Sequence, residues 1–381
     1  MVGGVDSFSL LAVPFYILCG VLMNTGGIAQ KLIDFAKILV GRIPGGLAHT
    51  NILGNTLFGS LSGSSVAASV AIGGVLIPME EKEGYDKKFA AAVNIASAPT
   101  GLIIPPSGIL IIYPVLAGCS VVGMIMSGYI PGLMWALACM VVAYVIAKKN
   151  HYPTAGKVPA SVFFKYFVDA IPSLLLIVII VGGVMSGIFT ATESAAVAVA
   201  YTLFLSIVVY RSIKIKDLPK ILLDACETTA VIMFLIAGSN VMSFVMSFTG
   251  LPSAIGNALI SVSSNKYVIL LIINLVLLVV GCFMDITPAV LIFTPIFLPV
   301  VQSFGMDPIH FGIMMVMNLG IGNITPPVGS ALFSGCSVAD MDMEDMIKPI
   351  LPFYAAIFVA LMLVAYVPWF SMALPTLFGA V

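Results

Sequence analysis

Charge is what this chain lacks. Only 9% of its 381 residues are Asp, Glu, Lys or Arg, against roughly 25% in soluble domains. With 60% hydrophobic residues, a soluble core could not bury the apolar surface, so lipid must solvate much of it. The net charge of -1 gives no electrostatic case for nucleic acid. Histidine is scarce, and His49, His151 and His310 lie far apart, which suggests no metal site. The six cysteines form no C-x-x-C pair and mostly sit in apolar runs, where a thiol is a small hydrophobe. No G-x-x-x-x-G-K-[ST] motif is present, which argues against an ATP-driven pump. No catalytic Ser/His pair or neighbouring carboxylates stand out, so the chain does not read as an enzyme. Met1 to Ser9 lacks the basic region of a cleavable signal. Apolar sequence begins almost at once, which hints at a missing natural N-terminus.

What is present are long apolar runs. A spanning helix needs about 20 of them in a row. Segments 8–24, 121–147, 168–188, 192–210, 221–247 and 348–376 qualify. Segments 45–79 and 266–301 each hold two short helices around a polar break, at Ser62-Gly63-Ser64-Ser65 and at Asp285-Ile286-Thr287-Pro288. Segments 87–117 and 309–335 each read as one helix interrupted by a double proline. Residues 27–42 set Gln30, Lys31, Asp34 and Lys37 against Ile28, Leu32, Phe35 and Leu39, the pattern of an amphipathic surface helix. Residues 251–264 occupy the matching place in the second half with a weaker pattern.

Lys148, Lys149, Lys157 and Lys165 share one loop, and Arg211, Lys214, Lys216 and Lys220 share another two crossings later. Both face the cytoplasm under the positive-inside rule. The loop Glu80–Lys88 then also faces the cytoplasm. The break at Ser62–Ser65 is reached from inside, and the break at Asp285–Pro288 from outside.

The halves match at an offset of 221 residues: Pro78 with Pro299, Gly84-Tyr85-Asp86 with Gly305-Met306-Asp307, and Gly101–Gly108 with Gly322–Gly329. Five net crossings separate the copies, an odd number, so the repeats are inverted. Residues 45–147 form repeat 1, residues 266–376 repeat 2, and residues 148–265 scaffold helices and a connecting arm. The expected fold is an all-α integral membrane protein with two re-entrant hairpins and two broken helices. Inverted repeats with broken helices mark secondary transporters, whose sites lie at the breaks near the midplane.

Breaking a helix in the membrane frees backbone groups, each costing several kcal/mol if unsatisfied. Carbonyls and hydroxyls converging there suit Na⁺, and helix N-termini suit anions. A first ion site is expected from Ser62, Ser64 and Ser65 with Gly101 and Ile104. A second is expected from Asp285 and Thr287 with Gly322, Asn323 and Thr325. Ser64, Ser97 and Ser107 are candidates for the substrate side. Serine and glycine also simply permit tight turns and close packing. Asp285 is either an ion ligand or the N-cap of the helix that follows. Glu193, after an outward turn, reads as a cap or an interfacial residue. Pro105, Pro106, Pro326 and Pro327 shape the breaks by removing amide donors.

Several stretches resemble the large membrane subunit of TRAP transporters, the DctM family. They are Pro14–Met23, Gly59–Ala67, Ile103–Ser107, Gly187–Glu193 and Ile324–Gly329, and the likeness covers nearly the whole chain. The resemblance implies Na⁺-coupled uptake by an elevator movement in the bacterial inner membrane, with no cofactor beyond the coupling ion. It implies a periplasmic substrate-binding protein that delivers a carboxylate, and a small membrane subunit, here a separate chain. The chain departs from the family pattern at Ala68, where an aspartate is frequent, and at Leu102, where proline is usual. Both lie near the first break, so substrate class does not transfer with the family. A stand-alone Na⁺-coupled anion transporter is the alternative, with a channel or passive scaffold behind it.

Overall fold

The computed structural model describes residues 8–154, 160–250, 254, 255, 258, 261, 263 and 265–380. The expectation for residues 251–264 therefore lies largely outside the described residues. The described chain is helical throughout. Helices α1 (Ala12–Thr25) and α2 (Ile28–Val40) meet at a 72° bend. Hairpin 1 follows as α3 (Gly46–Ser62) and α4 (Ser65–Lys82). The first broken helix is α5 (Lys87–Ser97), the single turn α6 (Thr100–Ile103) and α7 (Ile109–Ala117). Then come α8 (Val121–Ser127), α9 (Tyr129–Lys149), α10 (Ala160–Met185), α11 (Ala191–Phe204) and α12 (Leu218–Thr249). Hairpin 2 is α13 (Lys266–Phe283) and α14 (Ile286–Ser303); the second broken helix is α15 (Pro308–Gly322) and α16 (Ser330–Val338). Helices α17 (Met343–Tyr366) and α18 (Trp369–Leu377) close the chain.

Among the described residues seven helices are long and apolar enough to cross a membrane, or eight if the bent pair α1–α2 is one span. Both helices of hairpin 2 are among them, at 18 residues each, or about 27 Å at 1.5 Å per residue. Helix α3 is not, at 17 residues, and α4 is not, because Glu80, Glu81 and Lys82 close it.

Three expectations change. Segment 348–376 is not one span: the helix stops at Tyr366, Val367 turns extended, and Pro368 precedes the short α18, as a proline restricts the residue before it. On α2 the buried stripe runs through Phe35 and Ile38, and Leu39 is exposed. The loop expected to begin at Glu80 begins later, because α4 continues to Lys82 and buries Glu80.

Turn chemistry explains why the halves share sequence. Gly84 and Gly305 both adopt positive φ, at 86° and 78°, where a Cβ would be strained. Asp86 and Asp307 then cap α5 and α15, accepting backbone N–H bonds from Phe89 at 3.3 Å and Ile309 at 2.7 Å. The first hairpin helix and its broken helix touch through glycine in both halves. A Cβ on Gly101 would lie 2.3 Å from Gly59 backbone, and one on Gly322 would lie 2.4 Å from Gly281 backbone.

The halves also exchange partners. Helix α4 of hairpin 1 packs on α16, and α14 of hairpin 2 packs on α7. Outside this unit, α1 packs between α11 and α12. Helices α10 and α12 carry exposed apolar side chains such as Val178, Phe234 and Phe244, surfaces that water would not tolerate in bulk.

Candidate functional site

The two tips open onto a shared space. Because each hairpin packs on the other half's broken helix, the breaks converge on one cavity of about 350 Å³. Hairpin 1 lines it with Ser62, Gly63, Ser64 and Ser65, and the first broken helix with Leu102, Pro106 and Gly108. The second half adds Asp285, Ile286, Thr287 and Asn323. Tyr16, Gly20 and Asn24 of α1 and Thr228 of α12 form the remaining wall.

Each tip is fixed by local chemistry. Gly63 ends α3 in the left-handed region, and its N–H donates to Gly59 O at 2.7 Å. Ser64 then starts α4, its hydroxyl accepting from Ala67 N at 3.2 Å, so this residue is an N-cap as well as part of the lining. Ser62 carries its carbonyl against α1, where a Cβ on Gly20 would come within 2.9 Å of Ser62 O.

Asn323 joins the halves. Its Nδ2 donates to Ser65 Oγ at 2.7 Å, and its Oδ1 receives Ala331 N at 3.3 Å. Ser330 Oγ sits between Asn323 Oδ1 and Asp285 Oδ1, 3.1 Å from the latter. Asp285 occupies the N-cap position of α14 with extended backbone, yet its side chain bonds no amide of that helix. Its carboxylate is exposed in the cavity wall instead. Thr287 lines the cavity beside it.

The other sequence candidates lie elsewhere. Gly101 and Gly322 spend their missing side chains on the glycine contacts described above. Ile104 is buried against α9, where a Cβ on Gly132 would meet its Cγ1 at 2.2 Å. Thr325 donates to Ile321 O at 2.7 Å within its own turn. Ser97 is buried in a polar network, accepting from Asn55 Nδ2 at 3.0 Å. Ser107 is fully buried and its hydroxyl has no partner. None of these lines the cavity. Pro105–Pro106 and Pro326–Pro327 are both cis peptides, and Pro106 reaches the wall. Glu193 forms a capping box with Thr190, with bonds of 2.8 Å and 3.2 Å between side chains and backbone.

Two bonds from elsewhere in the chain tie down the second break. Val328 N donates to Cys282 O at 3.1 Å, tying the second break to the hairpin 2 tip. Tyr354 OH donates to Ile324 O. Sequence reasoning did not anticipate Asn24 and Thr228 in the wall, nor the network of Asn51, Asn55 and Asn94. The Asn51–Asn55 spacing of four on an apolar helix was the available signal for the network. In the network Asn55 Nδ2 lies 2.9 Å from Asn51 Oδ1 and 3.0 Å from Asn94 Oδ1.

Chemically the cavity offers hydroxyl, amide, carboxylate and carbonyl oxygens, the donors that hard cations prefer. The N-terminal ends of α4 and α14 also open onto it, which favours anions.

Comparison with known proteins agrees with this architecture. The family described as "Tripartite ATP-independent periplasmic transporter, DctM component" matches residues 1–370. An uncharacterized protein, YgiK, of Salmonella typhimurium is 52% identical over all of this chain and 87% of its own length. The sialic acid TRAP transporter large permease protein SiaM of Vibrio cholerae is 40% identical, covering 99% of this chain and 88% of its own. A C4-dicarboxylate TRAP transporter large permease protein of Pseudomonas aeruginosa is 39% identical, over 98% and 88%. The crystal structure of the Alcanivorax borkumensis YdaH transporter superposes with a TM-score of 0.66 over 97% of this chain and 86% of that one, at 14% identity, a likeness of fold alone. With a family match over residues 1–370 and full-length relatives near 40% identity, this multi-pass membrane protein belongs to the DctM family of tripartite ATP-independent periplasmic transporters.

Proposed function

We propose that this chain is the large permease subunit of a Na⁺-coupled TRAP importer of an organic acid in the bacterial inner membrane. The observation that carries the reading is the cavity at the two tips, lined by both halves and spanned by the Asn323–Ser65 bond. Its hydroxyl, amide and carboxylate oxygens suit Na⁺, and its helix N-termini suit a carboxylate. Among the described lining residues there is one carboxylate, Asp285, and no lysine or arginine. A bound cation and the helix dipoles would then be what meets the substrate's negative charge.

The reciprocal packing of α4 on α16 and of α14 on α7 supports both hairpins moving as one body. The scaffold surface facing them includes α1 and α12, and an elevator movement would carry the cavity along it. A periplasmic binding protein would deliver the acid, and a small membrane subunit would cover exposed apolar surface of the scaffold. Relatives named for a sialic acid and for C4-dicarboxylates are about equally close to this chain, so the proposal is for the carboxylate class and not for one acid.

The test is uptake into proteoliposomes holding this chain and its small subunit. Radiolabelled acid, retained by the binding protein of the same system, is supplied from outside. Uptake is expected only with that binding protein and an inward Na⁺ gradient. Full uptake with K⁺ in place of Na⁺ would refute the coupling, and full uptake without the binding protein would favour a stand-alone transporter.

A further inference from the structure

The opposite end of hairpin 1 holds a carboxyl group that the transport cavity does not use. Glu80 lies fifteen residues from Ser65 along α4, about 22 Å at 1.5 Å per residue. It is fully buried, and it is the one carboxylate in the buried class among the described residues. Neither of its oxygens has a hydrogen-bond partner. The Asn51 amide on α3 faces it across the hairpin and favours the ionised form, opposing burial, without reaching hydrogen-bond geometry.

Among the described residues, the groups that act on this carboxyl are the Asn51 amide and Glu83, and no cation is among them. On its own element, Glu83 is a like charge that acts against ionisation. On α3 the only titratable group is His49, buried with both ring nitrogens unpartnered. The lysines of α5 are engaged elsewhere: Lys87 faces Glu81 at 4.0 Å and Lys88 pairs with Asp345 at 2.6 Å. On α2, Lys31 pairs with Asp169 at 3.5 Å, and neither Lys37 nor Asp34 acts on Glu80. Helix α16 presents no charged side chain. Burial therefore pushes the Glu80 carboxyl well above the ordinary glutamate range. An ionised carboxylate without a partner is far costlier to bury than the neutral acid.

The surroundings give that proton a structural consequence. Glu80 O accepts from Tyr85 N at 3.0 Å. Tyr85 OH donates to Pro153 O at 3.0 Å and accepts from Leu47 N at 3.4 Å, while its ring stacks on Tyr152 at 4.5 Å. Tyr152 OH in turn accepts from Asp86 N at 3.2 Å. This clamp closes the hairpin base against the loop after α9, on the side that the lysine-rich loops assign to the cytoplasm.

We propose that Glu80 is a proton-binding site at the cytoplasmic base of hairpin 1, occupied while the Tyr85 clamp is closed and emptied to water when the base opens. The sign follows from linkage. Below the ordinary glutamate value, both states are protonated and pH has no effect. Above it, the open state loses its proton while the closed state keeps it. The closed state then loses ground by about tenfold per pH unit until its own raised value is reached. Alkaline cytoplasm thus loosens the base.

The experiment uses the full chain in lipid nanodiscs and needs no transport, so its outcome is independent of the proposed function. Infrared spectra at neutral pH are expected to contain a protonated carboxylic acid C=O band that is lost in Glu80→Gln and in Glu80→Met. Hydrogen exchange of the amides from Leu76 to Phe89, corrected for intrinsic rate, is expected to rise between about pH 6 and about pH 8 in the wild type and to stay flat in both variants. Should either variant fail to fold, the wild-type band and exchange profile still decide. A wild type without the band at neutral pH, or with pH-independent exchange in this segment, would overturn the proposal.

Discussion

Replacing Asn323 with alanine removes the side chain that holds the two halves together at the cavity. The wild-type amide donates to Ser65 Oγ at 2.7 Å and receives Ser330 Oγ and Ala331 N. Ala331 N keeps the Asn323 backbone carbonyl at 3.1 Å and Ser330 Oγ keeps Asp285 Oδ1 at 3.1 Å, so two side-chain bonds are lost and one partner, Ser65 Oγ, is stranded. Each net hydrogen bond contributes about 1 kcal/mol, and stranding a buried partner raises the cost, so a loss of about 2–3 kcal/mol is expected. The Ser65 share is isolated by a double-mutant cycle of Asn323→Ala with Ser65→Ala, expected to couple by about 1 kcal/mol. Reversible denaturant unfolding in mixed micelles measures all four species. A cycle that closes additively, within about 0.3 kcal/mol, would mean that the bond does not join the halves.

Gly101→Ala and Gly322→Ala should each destabilise by about 1–3 kcal/mol or more, because the new Cβ meets backbone and not a movable side chain. Gly238→Ala, with nothing within 4 Å, is the matched control, and equal unfolding midpoints for all three would discredit the glycine contacts. Trp135→Phe removes the Nε1 donor held 2.9 Å from Ala96 O and should cost about 1–3 kcal/mol, read by the same unfolding assay. Thr190→Ala breaks the capping box that includes Glu193 and should cost about 1 kcal/mol, with the Na⁺ response unchanged. A lost Na⁺ response there would give Glu193 a part in transport beyond capping.

The breaks were legible in sequence because they depend on local chemistry. Ser-Gly-Ser-Ser, the double prolines and the repeated Gly-x-Asp are turn and cap signals that act within a few residues. The split at Val367-Pro368 carries such a signal too, but the apolar residues on both sides of it make the segment look like one continuous span. That both tips open onto one cavity was not legible. It depends on α4 packing against α16 and α14 against α7, contacts across more than 150 positions of sequence. Glu80 escapes a sequence reading for a related reason. A run of Glu80, Glu81, Lys82 and Glu83 looks solvated, and only the packing of the hairpin base shows that its first member faces inward. Gly101 and Gly322 stand out in sequence because they flank the breaks, and the packing adds that their lack of a side chain is needed for helix contact.

The central claim is that residues from both halves hold one Na⁺-dependent site. Its most direct test is the unfolding midpoint of the full chain in lipid nanodiscs, titrated with Na⁺ and, separately, with K⁺. An ion bound only by the folded state raises the midpoint with concentration. Na⁺ alone should do so, and both Ser65→Ala from the first half and Asp285→Asn from the second should shift the titration to higher Na⁺. An equal response to K⁺, or a wild-type Na⁺ titration in either variant, would contradict the account.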